Sequence, residues 1–180
     1  MLLTYRECRD RFGSQYQIAK AVGEGHLFKI EEGVYSDKER ESELAVVQFK
    51  YPRGILTFDS AYFYYDLTDA VPEEYHLATP SNAKPIGDER VRQYYQPLPM
   101  LTIGVTEIAY GADKVRTYDL ERLLLETARM KCKLPSDLYK EVILGFRARA
   151  DHLSTEKIGD YLRRFPKRNL IERILYEEVF

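Results

Sequence analysis

The side chains best placed to meet a ligand stand in one short run, Ser14, Gln15, Tyr16, Gln17 and Lys20. If Ser14 opens a helix, the first turn carries hydroxyl and amide groups able to match the donor and acceptor edges of base pairs. Lys20, one turn further on, then reaches a phosphate. Arg6, Arg9 and Arg11 precede this run, where they would hold a nucleic-acid backbone and set its register. The chemistry implied is the reading of double-stranded DNA. The competing reading is a helical module of the same shape kept only for protein contacts.

Other residue types capable of chemistry are present without the spacing that chemistry needs. His26, His76 and His152 stand far from one another and from both cysteines, so no metal site is expected. Cys8 and Cys132 form no CxxC pair and read as reduced thiols. GxSxG, P-loop and GxGxxG patterns are absent, and neither a cofactor nor an enzymatic activity is expected. Gln48-Phe49-Lys50 could be half of a Q-x-K nuclease pattern, with Asp37 or Asp59 as the metal-binding carboxylate. Three residues match by chance too easily, and the apolar run around them has the character of a helix. Tyr62, Tyr64, Tyr65, Tyr94 and Tyr95 suit base stacking, but in a chain without tryptophan they read first as core rings whose hydroxyls reach partners. Near the end, Arg147, Arg149, Arg163, Arg164, Lys167 and Arg168 form a basic group around a Phe-Pro turn. It is either a solvated face or a surface for phosphate or an acidic partner.

The elements that must position these residues are written in local signals. Thr4-x-x-Glu7 is a capping box that opens a helix, and Gly13 closes it. Tyr5, Cys8 and Phe12 fall on its inner face, with Arg6, Arg9 and Asp10 opposite. Ser14-x-x-Gln17 opens a second helix after a turn short enough for a helix-turn-helix, with Ile18, Ala19, Ala21 and Val22 as its core face. Gly23 and Gly25 end it, and residues 26–30 and 34–36 pair as a hairpin about Gly33, with Leu27 and either Phe28 or Ile30 covering the helices. Glu31 and Glu32 at the hairpin turn would repel phosphates. Residues 1–36 thus read as a minimal winged helix-turn-helix, 37–50 as a charged boundary running into a connecting helix, and 51–180 as a larger α/β domain.

In that larger domain residues 55–58 read as a short strand or lead-in, and Asp59 or Ser60 caps a helix. Strands are expected at 75–79, 90–96, 102–110 and 114–118, the last two joined by a turn at Gly111. Helices follow, opened by Asp119, by Ser136 or Asp137, and by Ser154, with a last one over 167–179. Strands first and a helical C-terminal end make the expected class α+β.

Bulk properties narrow the function classes. The chain has 180 residues and a formal net charge of −2, acidic in its middle and mildly basic toward its end. Any DNA contact must therefore come from one local face rather than an overall positive field. No window is apolar enough to span a membrane, so no membrane partner is expected. The first ten residues, MLLTYRECRD, carry charge where a secretory signal would be apolar, so the expected location is cytoplasmic.

Three segments carry a resemblance to a known family: GHLFKIEEGVY (25–35), GILTFDSAYFYYDLTDAVP (54–72) and VRTYDLERLLLET (115–127). In this order, after a capped helix pair, they resemble the AbiEi antitoxins of type IV toxin-antitoxin systems. The likeness extends over nearly the whole chain, more loosely in the helical end. It implies an N-terminal winged helix that binds and represses its own promoter, and a C-terminal domain that neutralises a nucleotidyltransferase-like toxin. By position, 14–24 would be the reading helix and Gly33, Val34 and Tyr35 part of the wing. Asp59 to Ala61, Asp66 with Leu67, and Asp119 to Arg122 look like fold signatures, with Glu121 and Arg122 in an ion pair or cap contacts. The chain departs from the family in its acidic wing and in having no helix before Thr4.

Overall fold

The computed structural model describes residues 1–110 and 113–180. It has a mixed α+β fold that divides into two compact units, Met1–Pro52 and Arg53–Phe180.

The first unit opens with strand β1 (Leu2–Thr4), which leads directly into helix α1 (Tyr5–Phe12). The Thr4 hydroxyl accepts the Glu7 amide at 3.2 Å while the Glu7 carboxylate accepts the Thr4 amide at 2.7 Å, so two orphan donors at the helix start are satisfied. Gly13, at φ +84°, ends α1 with its amide on the Arg9 carbonyl. Helix α2 (Gln15–Gly23) begins at once, and the Ser14 hydroxyl accepts the Gln17 amide. Strands β2 (Phe28–Glu31) and β3 (Val34–Ser36) form a hairpin with Gly33 at φ +78°. β1 and β2 flank β3 in an antiparallel sheet of order β1-β3-β2.

β1 has no counterpart in the sequence reading, because three residues show no periodicity and its partner lies thirty residues away. Leu3, Cys8, Ile18, Ala21 and Leu27 form the core of the helices and sheet, edged by Phe12, Val22 and Tyr35. Ala19, expected on the core face, is exposed, since Ile18 and Ala21 already define the buried stripe. Helix α3 (Glu43–Lys50), capped by Ser42, completes this unit and buries Leu44, Val46 and Val47.

The second unit is organised on a sheet of order β6-β5-β4-β8-β7. Its strands are β4 (Ile55–Leu56), β5 (Tyr75–Pro80), β6 (Val91–Gln96), β7 (Val105–Tyr110) and β8 (Asp113–Tyr118). Pairing is mixed: β4 runs antiparallel to β5 and parallel to β8, β5 parallel to β6, and β7 antiparallel to β8. Helix α4 (Phe58–Tyr64) follows β4, and the short α5 (Leu98–Leu101) follows β6. Helices α6 (Leu120–Arg129), α7 (Ser136–Arg147), α8 (Thr155–Leu162) and α9 (Arg168–Glu178) form the helical end.

Several boundaries differ from expectation. The strand placed at 102–110 begins at Val105, because Pro97 starts α5 and Gly104 turns at φ +68°. Only glycine fits at that turn: a Cβ at position 104 would lie 2.6 Å from the Arg122 Cβ. Thr57, not Asp59 or Ser60, precedes α4, whereas α7 begins at Ser136 as expected, directly after Pro135. Ser60 turns inward, donating to the Glu74 carbonyl at 3.2 Å and accepting the His76 amide at 2.8 Å. The expected turn at Gly111 lies outside the described residues.

α6 is the central helix, its residues from Glu121 to Ala128 all buried. It packs in one core with Ile55, Tyr62, Phe146 and Ile171, drawn from the central strand of the sheet and from helices on either side in sequence.

Candidate functional sites

The two faces of α2 are treated differently by the fold. Its inner face is consumed by the core, whereas Gln15, Tyr16 and Gln17 are exposed, Tyr16 at 75%. Among the described residues none of these three side chains makes a hydrogen bond or ion pair. The Ser14 oxygen accepts the Gln17 amide at the helix start, which leaves its proton and one lone pair free to act. Lys20 makes only a loose 3.8 Å approach to Glu24, both about half exposed, an interaction worth little in water.

Arg6 and Arg9 flank a shallow depression of about 370 Å³ on α1, shared with Tyr5, Asp10 and Gly13. Arg11 is exposed and packs over the Phe12 ring at 5.5 Å. The hairpin is less acidic than its sequence: Lys50 Nζ lies 2.7 Å from the Glu31 carboxylate, so that charge is offset and only Glu32 stands exposed at the turn. The same pair uses the lysine of the Q-x-K fragment, and Gln48 and Lys50 sit on a helix rather than on a strand.

The C-terminal basic residues are sorted by their partners. Arg149 donates to the Asp66 carbonyl at 3.0 Å, Arg163 pairs with Asp160, and Arg168 approaches Glu172 at 4.0 Å. Arg147, Arg164 and Lys167 are exposed and make no ion pair among the described residues. Lys167 precedes α9 in the left-handed region, at φ +59°. The basic group is thus half the charge that the sequence suggests.

Glu121 and Arg122 do not pair with each other, because neighbours on a helix point in different directions. Arg122 is fully buried and donates to Glu126, one turn on, at 2.8 Å. Its guanidinium lies between the Tyr118 and Phe165 rings, 4.7 and 4.4 Å from their centroids. Burial pushes the Glu126 carboxyl upward, but the hydrogen bond from Arg129 and the charges of Arg122 and Arg129 outweigh it and hold the group below its ordinary value. Burial and the Arg122 charge act oppositely on Tyr118, with burial winning and the phenol pushed up to about 12. Glu121 instead accepts the Ser154 amide at 2.9 Å. This is a structural network, and the i,i+4 spacing of Arg122 and Glu126 was its sequence signal.

Spacing gave no hint of a cleft of about 300 Å³ lined by Asp59, Thr68, Glu73, Glu74, His76, Arg92 and apolar neighbours. Asp59 stands on α4 and His76 on β5, brought together by the antiparallel pairing of β4 and β5. His76 Nδ1 lies 3.3 Å from the Tyr94 hydroxyl and 3.8 Å from Asp59. Burial holds the imidazole below its ordinary 6.5, against the pull of Asp59. Of the other tyrosines, Tyr62 is fully buried with its hydroxyl 2.8 Å from Thr127, Tyr64 and Tyr65 are half-buried, and Tyr95 is 47% exposed. His26 and His152 are exposed. Among the described residues no group of three His, Cys, Asp or Glu stands close enough to hold a metal ion, and no helix is long and apolar enough to cross a membrane.

No protein-family model matches the chain, and no curated protein matches it either.

Proposed function

We propose that the chain is a cytoplasmic, non-enzymatic DNA-binding regulator of the AbiEi antitoxin kind, with α2 as its reading helix and the β2–β3 hairpin as its wing. The observation that carries this reading is the exposed, uncommitted run Gln15, Tyr16 and Gln17 in the first turn of a helix that follows another across a two-residue break. A helix-turn-helix backed by a small antiparallel sheet is the arrangement a winged helix needs. Arg6, Arg9 and Arg11 would hold the backbone of promoter DNA, Gln15 and Gln17 meet base edges, and Lys20 a phosphate. The Lys50–Glu31 pair lowers the repulsion that an acidic wing would otherwise impose.

Titration of the full chain against DNA from upstream of its own gene, at two salt concentrations, tests this. Lys20→Ala is expected to weaken binding to all sequences and flatten the log–log salt slope by about one unit. Gln15→Ala or Gln17→Ala is expected to relax sequence preference by roughly 1–3 kcal/mol per lost base contact. Unchanged operator affinity in all three variants overturns the assignment of α2.

The resemblance supplies the second activity, neutralisation of a nucleotidyltransferase-like toxin, and Arg147, Arg164 and Lys167 are the cations free to serve it. Growth rescue in co-expression with the neighbouring gene product measures that activity. A folded triple alanine variant that rescues as well as the parent removes the surface from consideration.

A second reading, a protein-interaction adaptor without DNA binding, is favoured by the exposed Glu32 on the wing and by Asp10 beside Arg6 and Arg9. It predicts no salt-dependent DNA affinity at all.

A further inference from the structure

We propose that the cleft beside α4 and β5 binds a guanidinium or ammonium group carried on an apolar stem, a site separate from the DNA-reading helix and independent of it. The cleft, of about 300 Å³, is at the small end of the range for ligand pockets and has room for one side-chain-sized group.

Its polar lining consists mainly of acceptors. Asp59 has no ion-pair partner other than the distant His76 approach, and Glu74 has none for its carboxylate among the described residues. His76 is only 5% exposed yet lines the cleft, and its Nε2 has no hydrogen-bond partner among the described residues. Nδ1 meets the Tyr94 hydroxyl at 3.3 Å, with the Asp59 carboxylate 3.8 Å away on the same side, so Nε2 is the nitrogen that remains for a ligand. A cleft lined mainly by uncommitted acceptors suits a donor-rich cation and not an anion. Val71, 73% exposed, and Leu138 supply apolar wall for the stem of such a group. Arg92 is the one opposing charge, and it is exposed, with its guanidinium 5.9 Å over the Tyr94 ring.

The shared chemistry can arrive on a free amine or on a basic residue of a peptide. Three probes are titrated into the full chain and followed by backbone amide shifts in NMR: agmatine, a Gly-Arg-Gly peptide and inorganic phosphate. Saturable shifts at His76, Glu74 and Arg92 with either cation support the site, and the tighter of the two identifies its source as free ligand or peptide. Asp59→Asn is expected to weaken the cation about tenfold and Arg92→Gln to strengthen it about threefold. Should Asp59→Asn fail to fold, Glu74→Gln takes its place with the same expected direction. No saturable shift with either cation, phosphate binding in their stead, or cation affinity unchanged in a folded carboxylate variant overturns the proposal.

Discussion

Helices α2 and α6 are close in length, and both carry polar side chains on more than one face, yet they handle them in opposite ways. α6 turns Arg122, Glu126 and Thr127 inward and satisfies nearly all of their polar groups with each other and with neighbouring carbonyls. α2 keeps only Ile18 and Ala21 fully inside and leaves its amides and its lysine in water with no firm partner. The lesson is that charge in a sequence does not distinguish glue from contact surface. What distinguishes them is whether the fold has already used the hydrogen-bonding capacity, because a group that is already satisfied has little left to offer a ligand.

The largest expected effect that sharpens this contrast is at Arg122. Arg122→Ala removes the partner of a buried carboxylate and opens a cavity between two rings, so it is expected to destabilise the second unit by about 3–5 kcal/mol in urea unfolding followed by circular dichroism. A loss below about 1 kcal/mol would break the contrast by showing that α6 does not depend on its network.

Acid comes next. Glu126 is held below its ordinary 4.5, so its contribution is complete above that value and is lost as pH falls through the lower folded value. His76 is held below 6.5, so the unfolded chain takes up its proton first and stability already declines as pH drops beneath 6.5. The urea midpoint should therefore fall in two stages on acidification, and Glu126→Gln should blunt the lower stage. The smallest effect belongs to α2: Gln15→Ala and Gln17→Ala are expected to shift stability by no more than about 0.5 kcal/mol, measured by the same unfolding curves. A larger loss would mean that these side chains have structural work after all.

Caps were the most legible part of the fold, because a cap is a signal contained in four residues. Thr4 with Glu7, Ser14, Asp119 and Ser154 all act where their spacing places them. The exposed face of α2 was legible for the same reason, since helical periodicity assigns faces once the start is known. β1 went unread and β4 was read only as a short strand or lead-in, because two or three residues cannot display an alternation and their partners are chosen by distant parts of the chain. The cleft was invisible, as Asp59, His76 and Tyr94 share no local pattern and meet only through strand pairing. The C-terminal cations were seen, but the Asp66 carbonyl, Asp160 and Glu172 that engage half of them were not.

The five-stranded sheet has its shortest strand in the middle. β5 with β6 and β7 with β8 are six-residue ladders, whereas β4 joins them through two residues on one side and a single register pair, Leu56 with Thr117, on the other. Few main-chain bonds therefore hold the halves together, and the Thr117 hydroxyl adds one more by donating to the Leu56 carbonyl at 3.0 Å. Mechanically the sheet is two stiff plates glued along a narrow seam, and the glue is the complete burial of Ile55 and Leu56. Force applied across the strands would part it along β4 before either plate frayed.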